Sequence, residues 1–478
     1  MSATHSLEEA LRWIGVQETA RRVRDGELTP QQTVSAALAR IDAAQPQLNA
    51  FARVWHERAL ADADRVAERL AAGESLPLAG VPVAAKDEVA IAGEVTTKGS
   101  RTMTAVATSD AELIRLVRAA GGVIVGATRT PELCFTPYCE SELGGVTRNP
   151  WDHARTPGGS SGGAAAAVAA GLVPVALASD GGGSIRGPAA WCGLPGLFAT
   201  PGLVSPAPLH EPWTGMVSYG GIARTIADTA LLYDVLFTHP VGLAAALTQE
   251  PEVVRIVQTL DRAADRPVPQ GGPIDGSCRS AVREIADLLR ELGHEVQPRR
   301  VRFAAAGAKF AVRYATSARE DLLRTDEPQL AEPVTRLVAR VGGVLRRLRP
   351  WALDLARERA ALDRSLGDAQ VIVTPTMPCT APPVGERDGR HPLLTVLAAS
   401  RRVSLLNTWN LLGWPGLTVP AGTGRDGLPV GVLLTGRPGS ERLLLQLGAQ
   451  LERARPWPLG AGAPERSAVV SVRAELSR

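Results

Sequence analysis

Apolar positions early in the chain recur with helical spacing: Val34, Ala37, Leu38 and Ile41 fall at i, i+3, i+4 and i+7. Thr29, Pro30 and Gln32 carry the pattern of a capping box with proline at the first helical position. The first seventy or so residues are therefore expected to form helices. From Val81 the texture changes to short apolar runs at 81–85, 123–127 and 173–178, the length of buried strands. Helical stretches at 112–120 and 164–170 separate these runs, and the alternation predicts an α/β fold.

Beyond Phe237 the pattern becomes helical and arginine-rich, with one strand expected near 253–256 and an amphipathic helix over 280–292 ending at Gly293. Strand-like runs resume at 371–374, 417–419 and 430–434, and a last helix is expected over 442–451. The late strands need partners in the early sheet, so the chain reads as one α/β domain carrying a helical insertion. The arginines at 336, 340, 346, 347 and 349 lie near Asp354, Glu358 and Asp363, which marks a solvated helix face.

Composition narrows the function. At 478 residues, 45% hydrophobic and 21% charged, the chain is globular, and a net charge of +3 spread along it gives no reason to expect a nucleic-acid partner. Five widely spaced cysteines (Cys134, Cys139, Cys192, Cys278 and Cys379) without a CxxC pair fit reduced thiols in a cytoplasmic protein. Residues 1–13 hold Glu8 and Glu9 and no apolar core, so no secretory signal is expected there. The longest uncharged apolar stretch, 164–178, is broken by Gly171 and Pro174 and falls short of the roughly 20 residues that span a bilayer, so no membrane association is expected. The seven histidines are scattered and no acidic cluster has ligand spacing, so neither metal nor cofactor is implied.

Only three of the 52 basic residues are lysines: Lys86, Lys98 and Lys309. A lysine can serve as a general base when buried, whereas a guanidinium cannot. For Lys98 and Lys309 chance retention is the better reading. Two glycine- and serine-rich segments accompany Lys86. Thr156-Pro157-Gly158-Gly159-Ser160-Ser161-Gly162-Gly163 leads into an alanine-rich helix, and Ser179-Asp180-Gly181-Gly182-Gly183-Ser184-Ile185-Arg186 follows the strand ending near Ala178. Three glycines at a strand end can turn consecutive N–H groups inward as an oxyanion nest, with Ser184 placed to attack. Gly158-x-Ser160-x-Gly162 matches a hydrolase elbow, but no strand precedes it. A phosphate loop would need a Gly-Lys-Ser/Thr ending that both segments lack.

These segments, with Gly80-Val81-Pro82-Val83-Ala84-Ala85-Lys86-Asp87, resemble the amidase signature family of serine hydrolases. The likeness extends through Asn149-Pro150-Trp151-Asp152, Ala223-Arg224-Thr225-Ile226-Ala227-Asp228, Thr374-Pro375-Thr376 and Trp409-Asn410-Leu411 to Gly427-Leu428-Pro429-Val430-Gly431, most of the chain. It implies an α/β fold with a large mixed twisted sheet flanked by helices. The single domain would divide into N-terminal helices (1–75), a catalytic core (76–236), a helical insertion (237–369), the C-terminal part of the core sheet (370–460) and a tail (461–478).

The resemblance also implies a triad: Ser184 as nucleophile, Ser160, preceded by a cis peptide bond, as the bridging serine, and Lys86 as base, with Gly181, Gly182 and Gly183 in the oxyanion hole. Asp180 and Arg186 would brace the nucleophile loop. A lysine base must come from about 10.4 to near neutrality, and Val81, Val83, Ala84, Ala85 and Val89 are expected to supply the apolar setting that does so.

Phe198 and Leu203 stand where the family usually has lysine and arginine, and are expected to mark a pocket or surface favouring apolar substrates. Candidate substrate contacts are Cys134, Phe135, Tyr138, Trp213, Met216, Trp409 and Trp414, each equally at home in a core. Two reactions are open at this stage: hydrolysis of a small-molecule amide through an acyl-enzyme on Ser184, or transfer of the same acyl group to an amine. A homodimer is compatible with either.

Overall fold

A computed structural model describes residues 11–260, 273–464 and 466. The first ten residues of the expected N-terminal helices and most of the expected tail, 465 and 467–478, lie outside the described residues.

The strands are β1 (Phe51–Val54), β2 (Pro82–Lys86), β3 (Val123–Thr128), β4 (Glu140–Ser141), β5 (Gly145–Val146), β6 (Val175–Asp180), β7 (Gly196–Phe198), β8 (Ser218–Ala223), β9 (Arg255–Gln258), β10 (Glu295–Pro298), β11 (Val371–Pro375), β12 (Gly416–Thr423) and β13 (Pro429–Gly436). Eleven of them form one mixed sheet in the order β1-β3-β2-β6-β8-β7-β12-β13-β11-β9-β10, while β4 and β5 pair separately. Strands β3, β2 and β6 run parallel at one end, β11, β9 and β10 at the other, and antiparallel pairings through β8, β7, β12 and β13 join them.

Side-chain alternation builds the layers. Val83, Ala85, Val175, Leu177, Val371 and Val373 enter one core, whereas the intervening Ala84, Ala176, Ala178 and Ile372 enter cores on the opposite face. Both faces are covered, so the central strands read as continuous apolar runs. Thr29 accepts the Gln32 N–H, and the capping box starts helix α1 (Pro30–Leu48) as the sequence predicts.

The segment 237–369 is not purely helical. Beside the expected strand, which runs over Arg255–Gln258, it contributes β10, and both extend the sheet edge next to β11. Its helices α2 (Ala306–Leu323) and α3 (Pro333–Leu345), with α4 (Pro392–Arg402), form a cap over the loop at 182–184 that follows β6.

Candidate active site

Strands β2 and β6 are parallel neighbours with Ala85 opposite Leu177, so their C-terminal ends emerge side by side. In open α/β sheets that edge is where ligands bind. Lys86, the last residue of β2, lies one residue past the Ala85–Leu177 pair and Ser179 two past it on β6, and Lys86 Nζ donates to Ser179 Oγ at 2.8 Å.

Ser160 arrives from the other glycine-rich segment, just before the helix Gly162–Ala169. A Cβ on Gly163 would meet the Ala50 carbonyl oxygen and the Arg129 nitrogen at 2.5 Å, so only glycine lets this helix start so close to its neighbours. Lys86 Nζ donates to Ser160 Oγ at 2.8 Å, and the Gly159–Ser160 peptide is cis.

Asp180 organises the loop that carries Ser184. Its carboxylate accepts the N–H groups of Gly183 at 2.6 Å and Ile185 at 3.2 Å, and pairs with the Arg186 guanidinium. Asn410 donates to the Asp180 main-chain oxygen and to Oδ1. Burial raises the Asp180 pKa, but Arg186, Asn410 and the Gly183 N–H outweigh it and hold the carboxyl down at about 2. Gly183 has a φ of +119°, and a Cβ there would strike Leu406 at 2.5 Å. The Gly183 N–H, one of the expected oxyanion donors, is committed to Asp180.

Lys86 departs from the expected apolar setting. Its side chain is wholly buried, yet Glu88 Oε2 stands 3.0 Å from Nζ, and Ser179 Oγ donates to that same oxygen. Burial disfavours the ammonium, but Cys134 and the Glu88 carboxylate outweigh it, so the Lys86 pKa is displaced upward rather than toward neutrality. Glu88 is held at about 2 despite burial, by Lys86 and Lys98. Burial pushes the Cys134 thiol up to about 11. Glu88 was legible only as a carboxylate two residues past Lys86 in an apolar run.

Ser184 opens on a cavity of about 270 Å³ together with Gly159 and Gly182. Among the described residues, no charged side chain lines it. Phe135, Trp213 and Tyr314 form an aromatic cluster on its wall, with ring centroids 5.5–6.1 Å apart, and Phe310 stacks on Tyr314 at 5.9 Å. Trp213 is fixed by its Nε1, which donates to Asp321 Oδ2 at 2.7 Å. Helix α3 adds Val334, Leu337, Val338 and Val341, and the other cap helix adds Leu393, Val396 and Val403 at its end.

Of the expected substrate contacts, Cys134, Phe135 and Trp213 line this cavity, whereas Tyr138, Met216, Trp409 and Trp414 do not. Tyr138 and Met216 are buried, and Trp409 packs edge-on against Phe303 and tilted against Trp414. Phe198 does not mark a pocket either: it is buried in β7 with the Arg186 guanidinium 4.6 Å over its ring, and Leu203 packs against the main core. Phe310 and Tyr314, one turn apart on α2, line the cavity as well, and the sequence does not mark them because helical spacing of aromatics reads equally as core. A larger open hollow of about 1050 Å³, between residues 13–24 and the helix Glu441–Ala454, holds none of the candidate catalytic residues. Among the described residues, no three His, Cys, Asp or Glu side chains are grouped to hold a metal, and no helix is long and apolar enough to cross a membrane.

The amidase family model matches residues 32–445. AmiB2 of Mycobacterium tuberculosis, whose amidase name is itself provisional, is 42% identical over 94% of this chain and 97% of its own length. The 6-aminohexanoate-cyclic-dimer hydrolase of Pseudomonas sp. (strain NK87) is 32% identical over 93% of this chain and 95% of its own. A solved 6-aminohexanoate cyclic dimer hydrolase complexed with substrate superposes with a TM-score of 0.82 at 29% identity, covering 93% of this chain and 98% of that one. The peptide amidase of Stenotrophomonas maltophilia superposes with a TM-score of 0.75 at 27% identity, over 92% and 96% of the two chains. The chain belongs to the amidase family, and its large mixed sheet flanked by helices is the amidase signature fold.

Proposed function

We propose that this amidase hydrolyses small, uncharged, largely apolar carboxamides through an acyl-enzyme on Ser184. The observation that carries the proposal is the Lys86 Nζ to Ser160 Oγ hydrogen bond of 2.8 Å beside a cavity on which Ser184, Gly159 and Gly182 converge. Ser184 Oγ attacks the amide carbonyl, its proton passes to Ser160 Oγ, and the Ser160 proton passes to Lys86. The N–H groups of Gly181, Gly182 and Ser184 receive the oxyanion, aimed by a loop that Asp180 already holds. The relay then returns a proton to the departing amine, and water, activated by the same route, releases the acid.

The absence of charge on the cavity wall supports an apolar acyl or amine portion, because an ionised group buried there would lack a partner. The hydrolase among the relatives supports water rather than an amine as acceptor. Five free cysteines fit a cytoplasmic setting.

Purified enzyme incubated with a panel of amides, with and without added amine, and read by mass spectrometry tests the reading. Free acid should accumulate from apolar amides at the same rate in both arms, and not with Ser184→Ala. New amides formed in preference to acid, or turnover surviving Ser184→Ala, would contradict it.

A further inference from the structure

Lys86 is poised as a donor, not as an acceptor. Its ammonium has three N–H groups and no lone pair, and three oxygens lie within 3.0 Å of Nζ: Ser160 Oγ, Ser179 Oγ and Glu88 Oε2. Before the Ser160 hydroxyl can give Lys86 a proton, Lys86 must lose one. Among the described residues, the cavity wall offers no charged side chain to take it, and the Lys86 side chain is closed to solvent. Glu88 can take it by two routes. One is direct, across 3.0 Å; the other runs through Ser179, which accepts from Lys86 and donates to Glu88.

We propose that Glu88 is the proton-holding partner of Lys86, taking one ammonium proton before each acylation and returning it afterwards. The step balances: an N–H bond of Lys86 breaks with its electron pair left on nitrogen, and an O–H bond forms on Glu88. Through Ser179 the same result follows when its oxygen gains the lysine proton as its own proton moves to Glu88. The pair goes from ammonium and carboxylate to amine and carboxylic acid with no change in net charge. Burial penalises both ions together and so works against the mutual attraction that keeps the pair charged at rest. Rotation about the Cε–Nζ bond then turns the lone pair toward Ser160. The other titratable groups felt by the pair are Lys98, Cys134, Tyr219 and Asp321. Burial keeps the Cys134 thiol and the Tyr219 phenol protonated at neutral pH.

Glu88 acts through Lys86 and is a positioning residue, and the inference rests on Lys86 being the base proposed above. The test is the pH profile of kcat/KM on an uncharged amide for the wild type, Glu88→Gln and Glu88→Asp, with Lys86→Arg alongside and folding checked by thermal melts. Because the proton stays inside the pair, the wild-type profile should be flat from about pH 5.5 to 8. Glu88→Gln must release the proton to solvent, so it should gain an acidic limb falling about tenfold per pH unit. Glu88→Asp, which keeps a carboxylate, should restore the flat shape at a lower rate. Equal shapes for the wild type and Glu88→Gln, or a Glu88→Gln enzyme faster than wild type at neutral pH, would overturn the inference while leaving the base reading intact. Active Lys86→Arg would instead remove the base reading itself.

Discussion

Arg186 Nε lies 2.9 Å from Asp180 Oδ2, with both side chains wholly excluded from solvent. The pair joins the end of β6 to the helix that follows Ser184, and Asn410 closes it from the far side by accepting from Arg186 Nη2 at 2.5 Å and donating to Asp180 Oδ1 at 2.8 Å. The loop carrying the candidate nucleophile is thereby fixed by charge where glycine alone would leave it loose.

Replacing Asp180 by Asn should leave a buried guanidinium without its counter-ion, a change that typically costs about 3–5 kcal/mol. Denaturant melts should show that loss, together with loss of turnover. The pH dependence has a definite sign. Asp180 is held near 2, below the usual carboxylate value, so its stabilisation is complete above about pH 4 and is lost as the pH falls toward 2. Asp180→Asn should lose stability less steeply over that acid range. Equal acid dependence in both proteins would show that the pair is not what holds the loop.

Lys86→Arg should fold with a melting temperature close to the wild type's while losing about 10²- to 10⁴-fold in kcat, the usual contribution of general-base assistance. A guanidinium keeps the positive charge but cannot give up a proton near neutrality. Single-turnover kinetics should place the loss in acyl transfer rather than in substrate binding.

Lys309 provides the structural contrast. It is buried on the helix Ala306–Leu323 with Glu358 2.7 Å away and the Trp351 ring centroid 5.3 Å away, and it donates to Glu358 and the Asp354 carbonyl rather than to a serine hydroxyl. Lys309→Ala should cost about 3–5 kcal/mol of stability by stranding Glu358. Its pH–rate profile should keep the wild-type shape, and an altered profile would argue that this ion pair reaches the active site.

In a series of straight-chain amides, kcat/KM should rise by roughly fourfold per added methylene, about 0.8 kcal/mol each, until the cavity is filled. Val338→Asp should weaken the apolar members most, because it places an unpaired carboxylate on a wall without charge. A series in which charged amides outpace apolar ones of equal length would contradict the apolar reading of the cavity.

The strands at 82–86, 123–128, 175–180, 371–375 and 429–436 were legible because buried strands carry unbroken apolar runs. Strand β8, Ser218–Ala223, was not, since Gly220 and Gly221 sit in it for want of space: a Cβ on Gly220 would strike the Tyr233 hydroxyl at 2.0 Å. Strand β10 escaped notice because Val296 is its one buried residue, flanked by Glu295 and Gln297. At the site, the glycine-serine segments and Lys86 stood out through unusual local composition. Glu88 and Ser179 did not, because their importance comes from the register of β2 against β6, a relation between residues about ninety positions apart. The cavity wall was half legible for the same reason. Cys134 and Phe135 follow β3 directly, whereas the cap helices reach the cavity only through tertiary packing.

Trapping the acyl-enzyme shows whether Ser184 carries the acyl group. An ester or activated amide that acylates faster than it hydrolyses is mixed with the enzyme, quenched in acid, and the adduct is located by peptide mass mapping. One acyl adduct per chain should appear, on the peptide containing Ser184, absent from Ser184→Ala and strongly slowed in Lys86→Arg. An adduct on Ser160, or an unmodified enzyme during rapid turnover, would contradict it.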